Sequence, residues 1–311
     1  MQAILAISGS HMDLLRQDPQ AIIIALHHRQ NAINGLNNAF SRWPSNPDEA
    51  HAMLATSYLL AFQSGYMADG FIDHILSLRG CNLLLEAIEK NRLEGPFLGS
   101  NEVEDSILKP DHPLRLPIVD QDLLLNGFLS LQAVAQLVEL PTTKPIEKEL
   151  YSKLFEALVH LMISPPSAAQ RLVKDVPTPD PVRATLATAA CFFILTTWPH
   201  NEVLYLLSPT NTLGRILLSH FAAIRFMQNP FVPAASETKQ LVKALIEWCE
   251  EIVGSVQDNE WREWKKYVQW PASIMKGMRW CLNRKRDLTV ADMNEALLSN
   301  PKVFSGMGGK E

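Results

Sequence analysis

The chain has 311 residues, long enough to bury a sizeable core, and its 28 Lys and Arg against 33 Asp and Glu leave a net charge of −5. That mild acidity gives no global attraction to nucleic acid, and a hydrophobic content of 47% excludes a disordered chain. The balance of 14 glycines to 20 prolines suits helices punctuated by proline-led turns better than sheet hairpins.

The N-terminal third reads as paired helices. A small-residue helix opens the chain around Ile4–His11. Asp18-Pro19 and Asn46-Pro47 each place an N-capping side chain before a proline at the first helical position. The cap accepts orphan N–H groups, and proline loses nothing there. Ile22, Leu26, Ile33, Leu36 and Phe40 recur at helical spacing and mark the expected buried face of the second helix. Asp69, Asp73 and His74 gather at a helix start, where Asp69-Gly70 reads as a turn and the acids as helix-capping charges rather than metal ligands.

Residues 92–121 break the rhythm with Pro96, Pro110, Pro113 and Pro117 and the acids Glu102, Glu104 and Asp105, a long loop. Helical stripes then resume at Leu124, Phe128, Leu131, Ala135 and Val138 and at Leu150, Leu154, Leu158 and Leu161. Asp180-Pro181 starts another helix, and the charge-free stretch Ala184–Asn201 reads as a buried core helix rather than a membrane span. Later stripes run Leu213, Leu217, His220, Ile224, Met227 and Leu241, Leu245, Trp248, Ile252. Thr289 and Asp292 form a capping-box pair. The expectation is an all-α fold of about ten to twelve helices, packed as one irregular bundle with an internal apolar pocket. It forms a single domain over 1–304, followed by a flexible Gly-rich tail at 305–311.

Cys81, Cys191, Cys249 and Cys281 form no CxxC pair and sit in apolar stretches, as reduced thiols of an intracellular protein would. Met1–Leu15 has neither the basic start nor the cleavage site of a signal peptide, so an intracellular location is expected. No G-x-S-x-G, G-x-G-x-x-G or P-loop is present, and neither a cofactor nor a metal is expected.

Two features carry candidate chemistry. His220 lies on an apolar stripe, where burial would keep it neutral and able to offer one donor and one acceptor to a ligand, or else bond a backbone carbonyl of the core. Trp248, Trp261, Trp264, Tyr267, Trp270 and Met275 crowd the C-terminal region, with Met227 on the His220 stripe. Aromatic and thioether groups build adaptable apolar walls for a flat or polyene ligand, and also pack ordinary cores. The basic cluster Arg279, Arg284, Lys285 and Arg286 reads as a solvated helix end.

The segments Ile4–His11, Ala25–Ile33, Ala55–Ala61, His74–Cys81, His220–Arg225 and Val268–Pro271 follow one another in an order that resembles the regulatory domain of fungal Zn(2)Cys(6) binuclear-cluster transcription factors of the sterol-uptake-control type. The resemblance implies an all-α effector domain holding a hydrophobic small molecule, such as a sterol, between C-terminal helices. It also implies a fungal source, and it is the sole ground for expecting a nuclear rather than a cytoplasmic location. The six-cysteine zinc cluster of that family is absent from these residues, so no direct nucleic-acid contact is expected from the chain itself.

Three functions stay open on this reading. The first is a regulatory module that binds a sterol, terpenoid or polyketide-type molecule and contacts transcriptional partners or a second copy of itself as a homodimer. The second is a cofactor-independent enzyme of secondary metabolism on the same scaffold, a cyclase or cycloaddition catalyst that uses the apolar pocket and His220. The third is an interaction scaffold whose tryptophans fill a solid core.

Overall fold

A computed structural model describes residues 1–16, 18–43, 46–67, 69–96, 119–170, 178–231, 242–257, 262–285 and 288–305. Trp261, Leu241, Arg286, most of the proline-rich segment at 92–121 and nearly all of the 305–311 tail lie outside these residues. The described residues form twelve α-helices and three short 3₁₀ helices, with no strand among them. Contacts divide the chain into two compact units, Met1–His112 and Pro113–Glu311, where the sequence suggests one domain. The physical reason lies in the first unit, whose four helices bury apolar cores of their own.

Unit 1 contains α1 (Gln2–Arg16), α2 (Pro19–Phe40), α3 (Pro47–Ser64) and α4 (Phe71–Lys90). The expected caps form. The Asp18 side chain accepts from the Gln20 N–H at 3.0 Å, and Asn46 accepts from the Glu49 N–H at 2.8 Å. The expected apolar face of α2 is buried only in part: Ile22 is half-buried, and the half-buried Ile33 and Leu36 pack against the cores of the unit. Ala25, Arg29, Ala32 and Ala39 are buried, while Leu26 and Phe40 are exposed with Ile23 and Ile24. Small residues win because α1 and α2 approach closely: a Cβ on Gly9 would stand 3.0 Å from the Ala25 Cβ, a spacing a branched side chain cannot accept. Between α3 and α4 the core is larger, with Met53, Leu54, Cys81, Leu84 and Ile88.

One guanidinium ties this unit together. Arg29 of α2 is buried, and it donates to the Leu60 carbonyl at 3.0 Å, to Gln63 Oε1, to Ser64 Oγ at 3.2 Å and to Asp73 Oδ2 at 2.9 Å. Gln63 passes the connection on by donating to Ser10 Oγ at 3.0 Å. Helices α1 to α4 thus meet at one cation. Asp73 is therefore an ion-pair partner, and its neighbour His74 bonds the Ala61 carbonyl through Nδ1 at 2.9 Å.

Unit 2 contains α5 (Gln121–Val138), α6 (Pro145–Leu161), α7 (Pro181–Thr197), α8 (His200–Leu207), α9 (Thr212–Gln228), α10 (Lys243–Gln257), α11 (Gln269–Arg284) and α12 (Val290–Ser299). Asp180 caps α7 as expected, and Thr289 with Asp292 closes the capping box of α12. The charge-free stretch does not make one helix. It breaks at Trp198-Pro199, and α7 and α8 meet at 112°. Helix α7 buries Ala187, Cys191 and Leu195 but exposes Leu186 and Phe193, so it is two-faced rather than wholly buried. No single helix among the described residues is long and apolar enough to cross a membrane.

Helix α9 is the axis of the unit. It packs on α5, α6, α7, α8, α10 and α11, and none of its residues is exposed. All four cysteines are free and buried, one in unit 1 and three in unit 2. Burial pushes the thiols of Cys81, Cys191 and Cys249 up to about 12.

The Arg29 cluster predicts an asymmetric pair of variants. Arg29→Ala leaves buried acceptors and donors unmatched and should cost about 3 kcal/mol in urea unfolding. Asp73→Asn should cost about 1 kcal/mol or less, because the Asp73 side chain is 49% exposed and water replaces the lost partner. Equal losses would show that the ion pair, not the buried network, is what matters.

Candidate functional site

The site forms where α5, α9, α11 and the 3₁₀ helix Arg262–Val268 converge. Spacing on α9 puts His220 and Met227 on one face, as the sequence indicates, and both are completely buried. The chemistry around His220 follows from two contacts. Its Nδ1 lies 2.8 Å from the Ile216 carbonyl one turn back, and its Nε2 lies 2.8 Å from Ser130 Oγ on α5. A carbonyl only accepts, so Nδ1 carries the proton and donates it. In the neutral ring Nε2 is then the acceptor, and Ser130 donates to it. Desolvation pushes the imidazole down to about 4 from its ordinary 6.5, so the neutral form holds at pH 7.

His220 therefore has no free hydrogen-bonding group for a ligand; of the two roles the sequence left open, the core histidine bonded to a backbone carbonyl is the one that forms. Ser130 is the residue that sequence reasoning missed. It is partly exposed, and its oxygen also lies 3.5 Å from the Tyr267 carbonyl. The available sequence signal was small: Gly127 and Ser130, spaced i and i+3, put two small residues beside the Leu124/Phe128/Leu131 stripe.

Gly127 is small for a reason. The Trp270 indole lies on it, and a Cβ there would stand 2.6 Å from the ring. Trp270 also donates its Nε1–H to the Leu123 carbonyl at 2.9 Å, which fixes the ring against α5. Its centroid is 5.8 Å from that of His220. Tyr267 is buried, and its ring lies 6.1 Å from that of the half-buried Trp264.

The structure thus links Ser130 to His220 and to the Tyr267 backbone, sets Trp270 beside His220, and pairs the rings of Trp264 and Tyr267. Met227, Trp248 and Met275 are buried on α9, α10 and α11, helices that pack on one another.

Elsewhere, a groove of about 310 Å³ runs within unit 1 between α2 and α3, lined by Ala32, Gly35, Leu36, Met53 and Thr56 with Arg42 and Glu49 among its polar residues. None of the expected site residues lines it. The described members of the basic cluster at the end of α11 include the exposed Arg284 and Lys285, as a solvated helix end would, and each has a partner on this chain. Arg279 binds both oxygens of Glu250, Arg284 stacks 3.7 Å over the Trp280 ring, and Lys285 pairs with Asp292 at 2.8 Å. No known protein family, curated protein or solved structure matches the chain.

Two outcomes test this geometry. Gly127→Ala should cost about 1–3 kcal/mol by overpacking and shift tryptophan emission as Trp270 moves. An unchanged spectrum with full stability would refute the contact. The second concerns pH. The folded His220 resists protonation, whereas the unfolded one accepts a proton near 6.5, so stability is complete above about pH 6.5 and declines as pH falls towards 4. The full contribution is about 3 kcal/mol. His220→Gln should flatten that part of the pH–stability curve, and an identical slope in the variant would overturn the assignment.

Proposed function

We propose that the chain is a regulatory, ligand-binding module whose second unit holds a hydrophobic small molecule of sterol, terpenoid or polyketide type, the role of the effector domain in the fungal Zn(2)Cys(6) regulators that its sequence resembles. One observation carries this reading. A polar pair, Ser130–His220, has the Trp270 ring beside it and Tyr267, paired with Trp264, next along the chain of contacts, and small-molecule sites combine apolar walls with a few placed polar groups in this manner. The reading assigns the module no direct contact with DNA, in keeping with the net charge of −5. A second copy of the chain or a transcriptional partner is the expected recipient of the signal.

Ser130 and His220 also have the spacing of a nucleophile and its base, which keeps the enzyme reading in view. Two features weigh towards binding. Ser130 lies inside α5, where helical hydrogen bonds engage the backbone N–H groups that an oxyanion would need, and the Trp270 N–H is given to Leu123. A buried imidazole held near 4 is also a weak base at neutral pH.

Native mass spectrometry of the chain purified from its own host tests the proposal. A co-purifying hydrophobic molecule that is released unchanged is the expected result. A molecule released as a different product would favour the enzyme. A protein that stays empty after exposure to host lipid extract would favour the interaction scaffold.

A further inference from the structure

Resting on the ligand-site reading above, we propose that Ser130 selects a hydrophobic alcohol over the corresponding ketone, because the hydrogen-bond chain behind it leaves its oxygen able only to accept. The chain runs in one direction. The Ile216 carbonyl takes the Nδ1 proton of His220 at 2.8 Å, and that fixes Nε2 as a lone pair. Ser130 gives its only proton to this lone pair at 2.8 Å. The other acceptor in reach, the Tyr267 carbonyl at 3.5 Å, competes for the same proton and supplies none.

No tautomer reverses this order. Moving the ring proton to Nε2 would set a bare Nδ1 against the Ile216 carbonyl, two lone pairs at hydrogen-bond distance. His220 is wholly buried and Ser130 partly exposed, so the serine is the end of the relay that an incoming molecule meets. A ligand hydroxyl extends the chain by donating to Oγ. A ketone or carboxylate oxygen would face Oγ lone pair to lone pair, with both groups desolvated and unmatched. Ser130 is thus the residue that reads the oxidation state of the ligand, and His220 is a positioning residue that sets which state is read.

Two matched pairs of rigid apolar probes test this, borneol with camphor and cyclododecanol with cyclododecanone, each differing only in alcohol against ketone. Dissociation constants are measured by ligand-observed NMR on the full chain. The alcohol should bind roughly tenfold more tightly in each pair. Ser130→Ala, checked for retained fold by circular dichroism, should weaken the alcohol, spare the ketone and bring the ratio near one, because Nε2 lies recessed behind the lost oxygen. His220→Phe should also narrow the ratio, by releasing the serine proton for a ketone to accept. Equal binding of alcohol and ketone in the unaltered chain, or a preference that survives Ser130→Ala, overturns the selectivity while leaving the ligand site standing. Failure of all four probes to bind overturns the ligand site itself.

Discussion

A helix with no exposed residue carries its polar side chains into the protein, and α9 is such a helix: most of them find partners, while Arg215 Nε and Gln228 Oε1 have none among the described residues. Ser219 returns its hydroxyl to the Arg215 carbonyl, Gln228 donates to the Ala184 carbonyl on α7, and His220 bonds Ile216 and Ser130. Each solution constrains a neighbour. Gln228 sets α7 against the end of α9, and His220 sets α5 against its middle. Trp270 then packs α11 onto the same stretch of α5, where Gly127 makes room for it. The polar pair at the candidate site is therefore a consequence of burying α9, since it satisfies the imidazole at the helix's middle.

Unit 1 solves a related problem with a charge. A buried guanidinium demands acceptors on several sides, and Arg29 finds them on α3 and α4 while Gln63 reaches α1. Helix α2 offers buried alanines and the half-buried Ile33 and Leu36 to its neighbours, so much of its contact face is small. The directional bonds of Arg29 add specificity to that packing. The uncovered Ile23, Ile24 and Leu26 are the other side of that arrangement.

Local chemistry was legible in the sequence. The caps at Asp18, Asn46, Asp180 and Thr289 depend on a few consecutive residues and form as read. The all-α class and the buried stripes of α5, α6 and α9 were equally legible, because 3.6-residue periodicity is a property of each segment alone. The buried face of α2 was legible only in part: Ile33 and Leu36 pack inward as read, but the alanines at the α1 contact were not foreseen, since that close approach depends on Gly9 as much as on α2 itself. Ser130 was out of reach for the same reason. Its partner is 90 residues away, and nothing local separates it from a solvated helical serine. For His220, the burial, the neutral state and a bond to a backbone carbonyl could be read from α9 alone, while the bond to Ser130 needed the position of one other helix, α5.

The four buried thiols make the protein a recorder of its own breathing. A thiol near 12 in a dry environment is almost never a thiolate, so a soluble alkylating reagent must wait for local opening. Cys81 times events in unit 1, whereas Cys191, Cys249 and Cys281 time them on three different helices of unit 2. Labelling rates resolved by mass spectrometry would thus separate fraying of one helix from concerted loosening of the whole unit, without adding a probe to the chain.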